Sequence, residues 1–134
     1  MKTIFFVNAL KGSLSTSQIC KLKNKFPFLF IPLSDGGDGF LESVSYAYPH
    51  AKKHYVTAQN ALGKTKKAPY LTYKNFAFLE CAKIAGLAEI KPQSRKVLSS
   101  SSFGIGQVLK NISKTKIKTR FVGLGGVAFN DGGS

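Results

Sequence analysis

Two carboxylates, Asp35 and Asp38, stand among three glycines in PLSDGGDGF (32–40), in a chain holding only 6 Asp plus Glu against 20 Lys plus Arg. Acid so scarce, on backbone so pliable, suits two purposes. One is a surface turn, where Gly and Asp supply the required conformations. The other is a loop that handles a cation or a phosphate, its carboxylates acting as Mg²⁺ ligands or as acceptors of a hydroxyl proton. Three further stretches share this character. NALKGSLS (8–15) presents Lys11, Gly12 and Ser13, SSSSFGIG (99–106) presents Ser101 and Gly104, and GLGGVAFNDGG (123–133) presents Gly125, Gly126, Asn130 and Asp131. Glycines such as Gly36 and Gly37 let backbone amides approach an anion, and a helix N-terminus adds about half a positive charge. Lys11 adds a mobile ammonium, and Asp131 joins Asp35 and Asp38 as a candidate Mg²⁺ ligand. Plainer readings stand beside these: Asp38 as a helix N-cap, the glycines as turn residues, Lys11 as one solvated lysine, the serines as a linker.

The elements that must position these loops follow from hydrophobic period. TIFFVN (3–8) and FLFIPL (28–33) read as strands with little alternation, hence buried on both faces. Between them Ser15-Thr16-Ser17-Gln18 has the form of a capping box, and Ile19, Leu22 and Phe26 recur at helical spacing, which predicts a helix over 15–25. A second helix runs from Asp38 to about Tyr46 with Phe40, Leu41 and Val44 on one face. Strand, turn, helix, strand, turn, helix predicts a parallel α/β sheet. HYVTAQ, APYLTY and NFAFLECA then read as successive strands with tight connections, a meander set against the α/β unit. AKIAGLAEI is a short helix closed by Gly86. FGIGQVLKNISK is a helix carrying Ile105, Val108, Leu109 and Ile112, and KIKTRFVGLG (116–125) is a buried strand. Three expected segments result: 1–48 as the first part of an α/β domain, 49–92 as a β-rich segment, and 93–134 as an α/β segment ending in a glycine-rich loop. A glycine-rich loop after a buried strand normally leads into another packed element, so truncation at Ser134 is expected. In open α/β sheets ligands sit beyond the carboxyl ends of strands, so loops that follow strands are expected to gather at one sheet edge.

Composition narrows the classes. With 134 residues and 43% hydrophobic content the chain fits one globular, cytoplasmic domain, and no apolar run approaches a membrane span. Cys20 and Cys81 lie far apart without metal-ligand spacing and read as buried thiols. His50 and His54 fall in a loop running into a strand rather than on one helix face. A net charge of +14 favours anionic partners, yet the excess is scattered lysine with only Arg95 and Arg120 for bidentate recognition. A basic nucleic-acid-binding module therefore stands as an alternative, as does a phosphometabolite-binding protein without turnover. GLGGVA (123–128) meets the dinucleotide fingerprint on paper, but FNDGG breaks the helix that should follow.

Taken together, the motifs resemble those of the bacterial glycerate kinases of the glyoxylate-pathway type. NALKGSLS is similar to their (D/N)-(S/A)-F-K-G-S-L-S, and PLSDGGDGF to P-x-A-D-G-G-(E/D)-G-T. LECAKIAGL (79–87) resembles E-M-A-x-A-S-G-L, SSSSFGIGQVL resembles T-T-S-Y-G-T-G-E-L-I, and GLGGVAFNDGGS resembles G-I-G-G-S-A-T-N-D-G-G. All five occur in family order. The resemblance implies a Rossmann- or flavodoxin-like domain with a second, mixed α/β domain, and ATP-dependent, Mg²⁺-assisted phosphorylation of D-glycerate. It further implies that this chain matches only the N-terminal part of such an enzyme, with the C-terminal portion as a possible separate partner. Carried over by position, Lys11, Gly12 and Ser13 become anion contacts, and Asp35 and Asp38 metal ligands or base. Glu80 becomes a polar group near substrate, and Gly125, Gly126, Asn130 and Asp131 a second anion or metal loop. Leu10, Phe40, Ile105, Val127 and Phe129 depart from the family pattern, the last two removing hydroxyls from the final loop.

Overall fold

The computed structural model describes residues 3–10, 13–22, 25–95 and 97–132. Strands β1 (Ile4–Val7) and β2 (Leu29–Pro32) form a two-stranded parallel sheet with Ile4 opposite Leu29 and Phe6 opposite Ile31. The chain crosses between them through helix α1 (Thr16–Lys21). Its start is the capping box read from the sequence: the Gln18 amide donates to Ser15 Oγ at 3.3 Å, and the Ser15 amide donates to Gln18 Oε1 at 2.8 Å. Helix α2 (Phe40–Ala47) follows β2 and buries Leu41 and Val44.

A second, four-stranded sheet has the order β3 (Lys52–Gln59), β4 (Thr65–Tyr73), β5 (Phe76–Glu80), β6 (Thr119–Gly123). The first three run antiparallel, as the meander pattern predicts, while β6 pairs parallel to β5 after helices α3 (Ala82–Ala85) and α4 (Phe103–Ser113). The fold is therefore mixed α/β, with a parallel unit and a mixed sheet. Because strand side chains alternate between faces, the second sheet has two cores. Ala77 and Leu79 face a core with Ile84, Ile105, Val108 and Ile112 from α3 and α4. Leu71 and Phe78 face the opposite side, where α2 brings Leu41 and Val44. Helix α2 thus packs on the four-stranded sheet and also reaches the other sheet, where Tyr46 donates its hydroxyl to the Phe30 carbonyl at 3.1 Å.

Three burial expectations fail. β2 is only partly buried, with Leu29 47% exposed, because β1 alone pairs with it among the described residues. β1 is largely exposed, because β2 is its sole strand partner among the described residues and helices cover one face of the pair. β6 is half exposed, because it pairs with β5 alone and lies at the sheet edge. The cysteine reading holds: Cys20 and Cys81 are both buried and free of disulfides. His54 lies on β3, with Nε2 2.8 Å from Thr72 Oγ1 and its ring stacked on Tyr70. Among the described residues no helix is long and apolar enough to cross a membrane.

Gly104 was a candidate substrate contact, and its place in the packing explains it differently. It lets α4 approach β3 so closely that a Cβ would overlap the Gln59 carbonyl, whereas a Cβ at Gly106 would meet nothing within 4 Å. Gly104→Ala is expected to destabilise the chain by more than about 2 kcal/mol despite better helix propensity, and Gly106→Ala to stabilise it by about 0.5–1 kcal/mol. Urea-unfolding midpoints of the two variants check this pair.

Candidate functional site

The loop after β2 turns through Ser34 and Asp35, whose side chains accept the amides of Gly36 at 3.1 Å and Gly37 at 3.0 Å. Gly39 then caps α2 with φ of 91°, a left-handed conformation that favours glycine. A side chain there would also strike Thr16, whose Oγ1 would lie 2.6 Å from a Cβ at Gly39. That hydroxyl is buried without a hydrogen-bond partner. Gly39 therefore serves as a contact between the start of α1 and the start of α2. The sequence reading that made Asp38 the N-cap is off by one residue, and a glycine has no side chain to cap with.

The cap comes from 41 residues away. Glu80, at the end of β5 and with none of its surface exposed, accepts the Gly39 amide at 3.1 Å and the Leu41 amide at 2.8 Å. A carboxylate at a helix N-terminus satisfies orphan amides and meets the positive end of the dipole. Burial nevertheless pushes the Glu80 carboxyl up from its ordinary range. The Leu41 amide, the Lys83 ammonium 3.9 Å away and the Gly39 amide oppose that shift, while Asp38 adds to it. Next to it, burial and the Glu80 charge push the Cys81 thiol up to about 11, which keeps it protonated and unreactive at neutral pH.

The loop after β6 lies against the acidic loop. The Gly125 amide donates to the Gly36 carbonyl at 3.2 Å. Cβ atoms built at Gly36 and Gly37 would stand 3.2 Å from Gly123 Cα and 3.5 Å from Gly125 Cα. One built at Gly126 would stand 3.2 Å from Asp38 Oδ2. This loop is pinned from behind by the Cys81 amide on the Gly123 carbonyl (3.0 Å) and the Leu87 amide on the Gly126 carbonyl (2.9 Å). Asp35, Gly36, Gly37, Asp38, Glu80, Gly125 and Gly126 are therefore brought together. The means differ from the expectation, since the loops come from the ends of two sheets rather than one edge. The amides of Gly36, Gly37, Gly39 and Gly125 are all donated within the protein, and the two loops pack closely at these glycines.

Other candidates fall elsewhere. Asp131 accepts the Ser102 amide at 2.6 Å near the start of α4, and no three carboxylate, histidine or thiol groups among the described residues are close enough for a metal site. Ser101 donates its amide to the Ala61 carbonyl at 2.9 Å and accepts the Phe103 amide on its hydroxyl at 3.1 Å. Asn130 is exposed and lines a cleft of about 910 Å³ with Phe103, Lys110, Lys114 and Phe129. Ser13 lies exposed in the turn after β1, its amide on the Leu10 carbonyl at 2.9 Å. Lys11 and Gly12 lie outside the described residues. The residues that sequence reasoning missed are Gly39 and Thr16. Glu80 was found for a different role, and its signal was a lone acid ending the apolar run FAFLE.

Two measurements follow from the Glu80 cap. Glu80→Ala leaves two buried amides unpaired and is expected to cost about 2–5 kcal/mol, read from thermal or urea unfolding. A carboxyl whose folded pKa is raised contributes stability at low pH that is lost as pH rises through the folded value. The stability of the native chain relative to Glu80→Gln is therefore expected to fall as pH rises through that range, and a flat difference refutes the assignment.

Comparison with known proteins places this arrangement. The model of the glycerate kinase family matches residues 4–134. The chain is 27% identical to a glycerate kinase of Neisseria meningitidis over 99% of its own length and 38% of the relative's. It is 30% identical to a glycerate 2-kinase of Escherichia coli over 100% of its length and 38% of that protein. A crystal structure described as a putative glycerate kinase 2 from Salmonella typhimurium superposes with a TM-score of 0.74 at 27% identity, covering 98% of this chain and 38% of that one. The chain thus spans about two-fifths of the length of the relatives it matches, and it belongs to the glycerate kinase family.

Proposed function

We propose that this chain forms the acidic-loop side of a glycerate kinase active site, phosphorylating D-glycerate from ATP in the cytoplasm when joined to the remainder of the family's fold. One observation carries the reading: Asp35 and Asp38 are exposed carboxylates on a loop fixed at both ends, by Glu80 below and by the 123–126 loop beside it. Phosphoryl transfer asks a protein mainly for such positioning and charge.

The residues fit Mg²⁺ in the manner usual for nucleotide sites, where one or two carboxylates hold the ion and substrate phosphates complete its shell. Asp35 commits Oδ1 to the Gly37 amide, and the Asp38 carboxylate lies beside Gly126. Both would hold the ion, which would neutralise phosphate charge when bound. Asp38 is assigned as the group that accepts the glycerate hydroxyl proton. The freed oxygen forms a bond to the γ-phosphorus, and the bond from that phosphorus to the oxygen of departing ADP breaks. Lys11 and Ser13 supply charge and a hydroxyl to the phosphates, with Asn130 and Asp131 as further candidate contacts.

The test is a chimera in which these 134 residues replace the matching region of the Neisseria meningitidis enzyme, assayed with ATP, Mg²⁺ and D-glycerate. Turnover is expected. Asp38→Asn is expected to lower kcat by at least about 100-fold, the scale of a lost general base. Asp35→Asn, which can keep the turn bond to Gly37, is expected to abolish activity with circular dichroism unchanged. Near-normal turnover in either variant removes that residue from the mechanism.

A further inference from the structure

The LECAKIAGL motif carries one cation, Lys83. It lies in α3, three residues after Glu80, and its side chain is 42% exposed where that of Glu80 is wholly buried. Its Nζ stands 3.9 Å from Glu80 Oε1, and the same oxygen accepts the Gly39 amide at 3.1 Å. Two contacts thus join the Lys83 ammonium to the residue that follows Asp38. Helix α3 meets the acidic loop again at Gly126, where an added Cβ would lie 3.2 Å from Asp38 Oδ2 and 3.4 Å from Ala82 Cβ.

The ion pair leaves the cation available. At 3.9 Å it is longer than the roughly 2.7–2.9 Å of a charge-assisted hydrogen bond. The Lys83 ammonium makes no hydrogen bond among the described residues. Glu80 therefore draws Lys83 to the junction by charge without consuming its three protons. The substrate gives a reason for a cation here. The carboxyl group of D-glycerate is bonded to the carbon bearing one hydroxyl, and the other hydroxyl is one carbon farther on. Whichever hydroxyl reaches Asp38, the carboxylate arrives within a few ångströms of Asp38, and like charges so close repel.

We infer that the Lys83 ammonium binds the carboxylate of D-glycerate beside Asp38 and so helps to set substrate specificity. This rests on the reading that Asp38 takes the glycerate hydroxyl proton. The family pattern that this motif resembles leaves the Lys83 position open, so the contact is one this chain adds to the site. The carboxylate keeps its charge while the phosphoryl group moves. The contact is therefore equally strong in ground and transition states, and it acts on KM rather than kcat.

Lys83→Met, which keeps an apolar stem and removes the charge, is introduced into the chimera described above. KM for D-glycerate is expected to rise by at least about 10-fold, the scale of a lost charge-assisted hydrogen bond. The kcat and the KM for ATP are expected to stay unchanged, and Lys83→Arg to restore most of the affinity. Binding is read separately from turnover, by acetylation of the native chimera and mass spectrometry, with Lys64 of the exposed β3–β4 turn as control. D-glycerate added with Mg²⁺ and a non-hydrolysable ATP analogue is expected to slow acetylation of Lys83 but not of Lys64. The analogue alone, or with glycerol in place of D-glycerate, is expected to leave Lys83 reactive. Protection by the analogue alone makes Lys83 a phosphate contact and overturns the inference. An unchanged KM in Lys83→Met, or no protection in any arm, overturns it too, while turnover of the chimera leaves the catalytic reading standing. Protection by D-glycerate in a chimera without turnover supports Lys83 and counts against Asp38 as the base.

Discussion

A buried carboxylate at the junction of two sheets is the constraint on which the rest depends. Glu80 ends β5, and its oxygens take the amides that open α2. That helix is the element shared by both sheets, since it packs on the four-stranded sheet and its Tyr46 reaches β2. Burying such a charge without partners would be prohibitive. Here two amides and a nearby lysine offset part of the cost, and the remaining imbalance appears as a raised pKa. The same bonds that keep Glu80 tolerable fix where the acidic loop can lie.

Glycine then sets how close the two loops come. A side chain at Gly125 would collide with the Gly37 backbone and one at Gly36 would crowd Gly123, and the Gly125 amide reaches the Gly36 carbonyl across this approach. The result places exposed carboxylates on a buried, hydrogen-bonded floor. The backbone donors of Gly36, Gly37, Gly39 and Gly125 are satisfied within the protein.

Local pattern made much of this legible. The capping box at Ser15, the apolar face of α4 and the meander from His54 to Glu80 depend on neighbours close in sequence, and each appears as read. Burial of β1 was misread because an apolar strand carries no record of which elements cover it. Asp131 was grouped with Asp35 and Asp38 because all three sit in similar glycine-rich motifs. That Asp131 accepts the Ser102 amide depends on how the segment after β6 folds back on α4. The close approach of the acidic-loop glycines to the 123–126 loop was not legible, because a residue without a side chain serves an anion and a neighbouring backbone equally well. The five ordered motifs nonetheless fixed the family, and coordinates were needed to divide their residues between architecture and chemistry.

The pairing of β5 with β6 has a kinetic meaning. Phe76 meets Thr119, so the ladder closes only after the intervening helices have folded back. Gly36 and Gly125 are separated by most of the chain when they meet. Closing such long loops carries an entropic cost that local contacts do not, so the floor beneath the carboxylates is expected to form after the local elements. As the polypeptide leaves the ribosome, the acidic bend emerges early and waits for a surface that only late residues can supply.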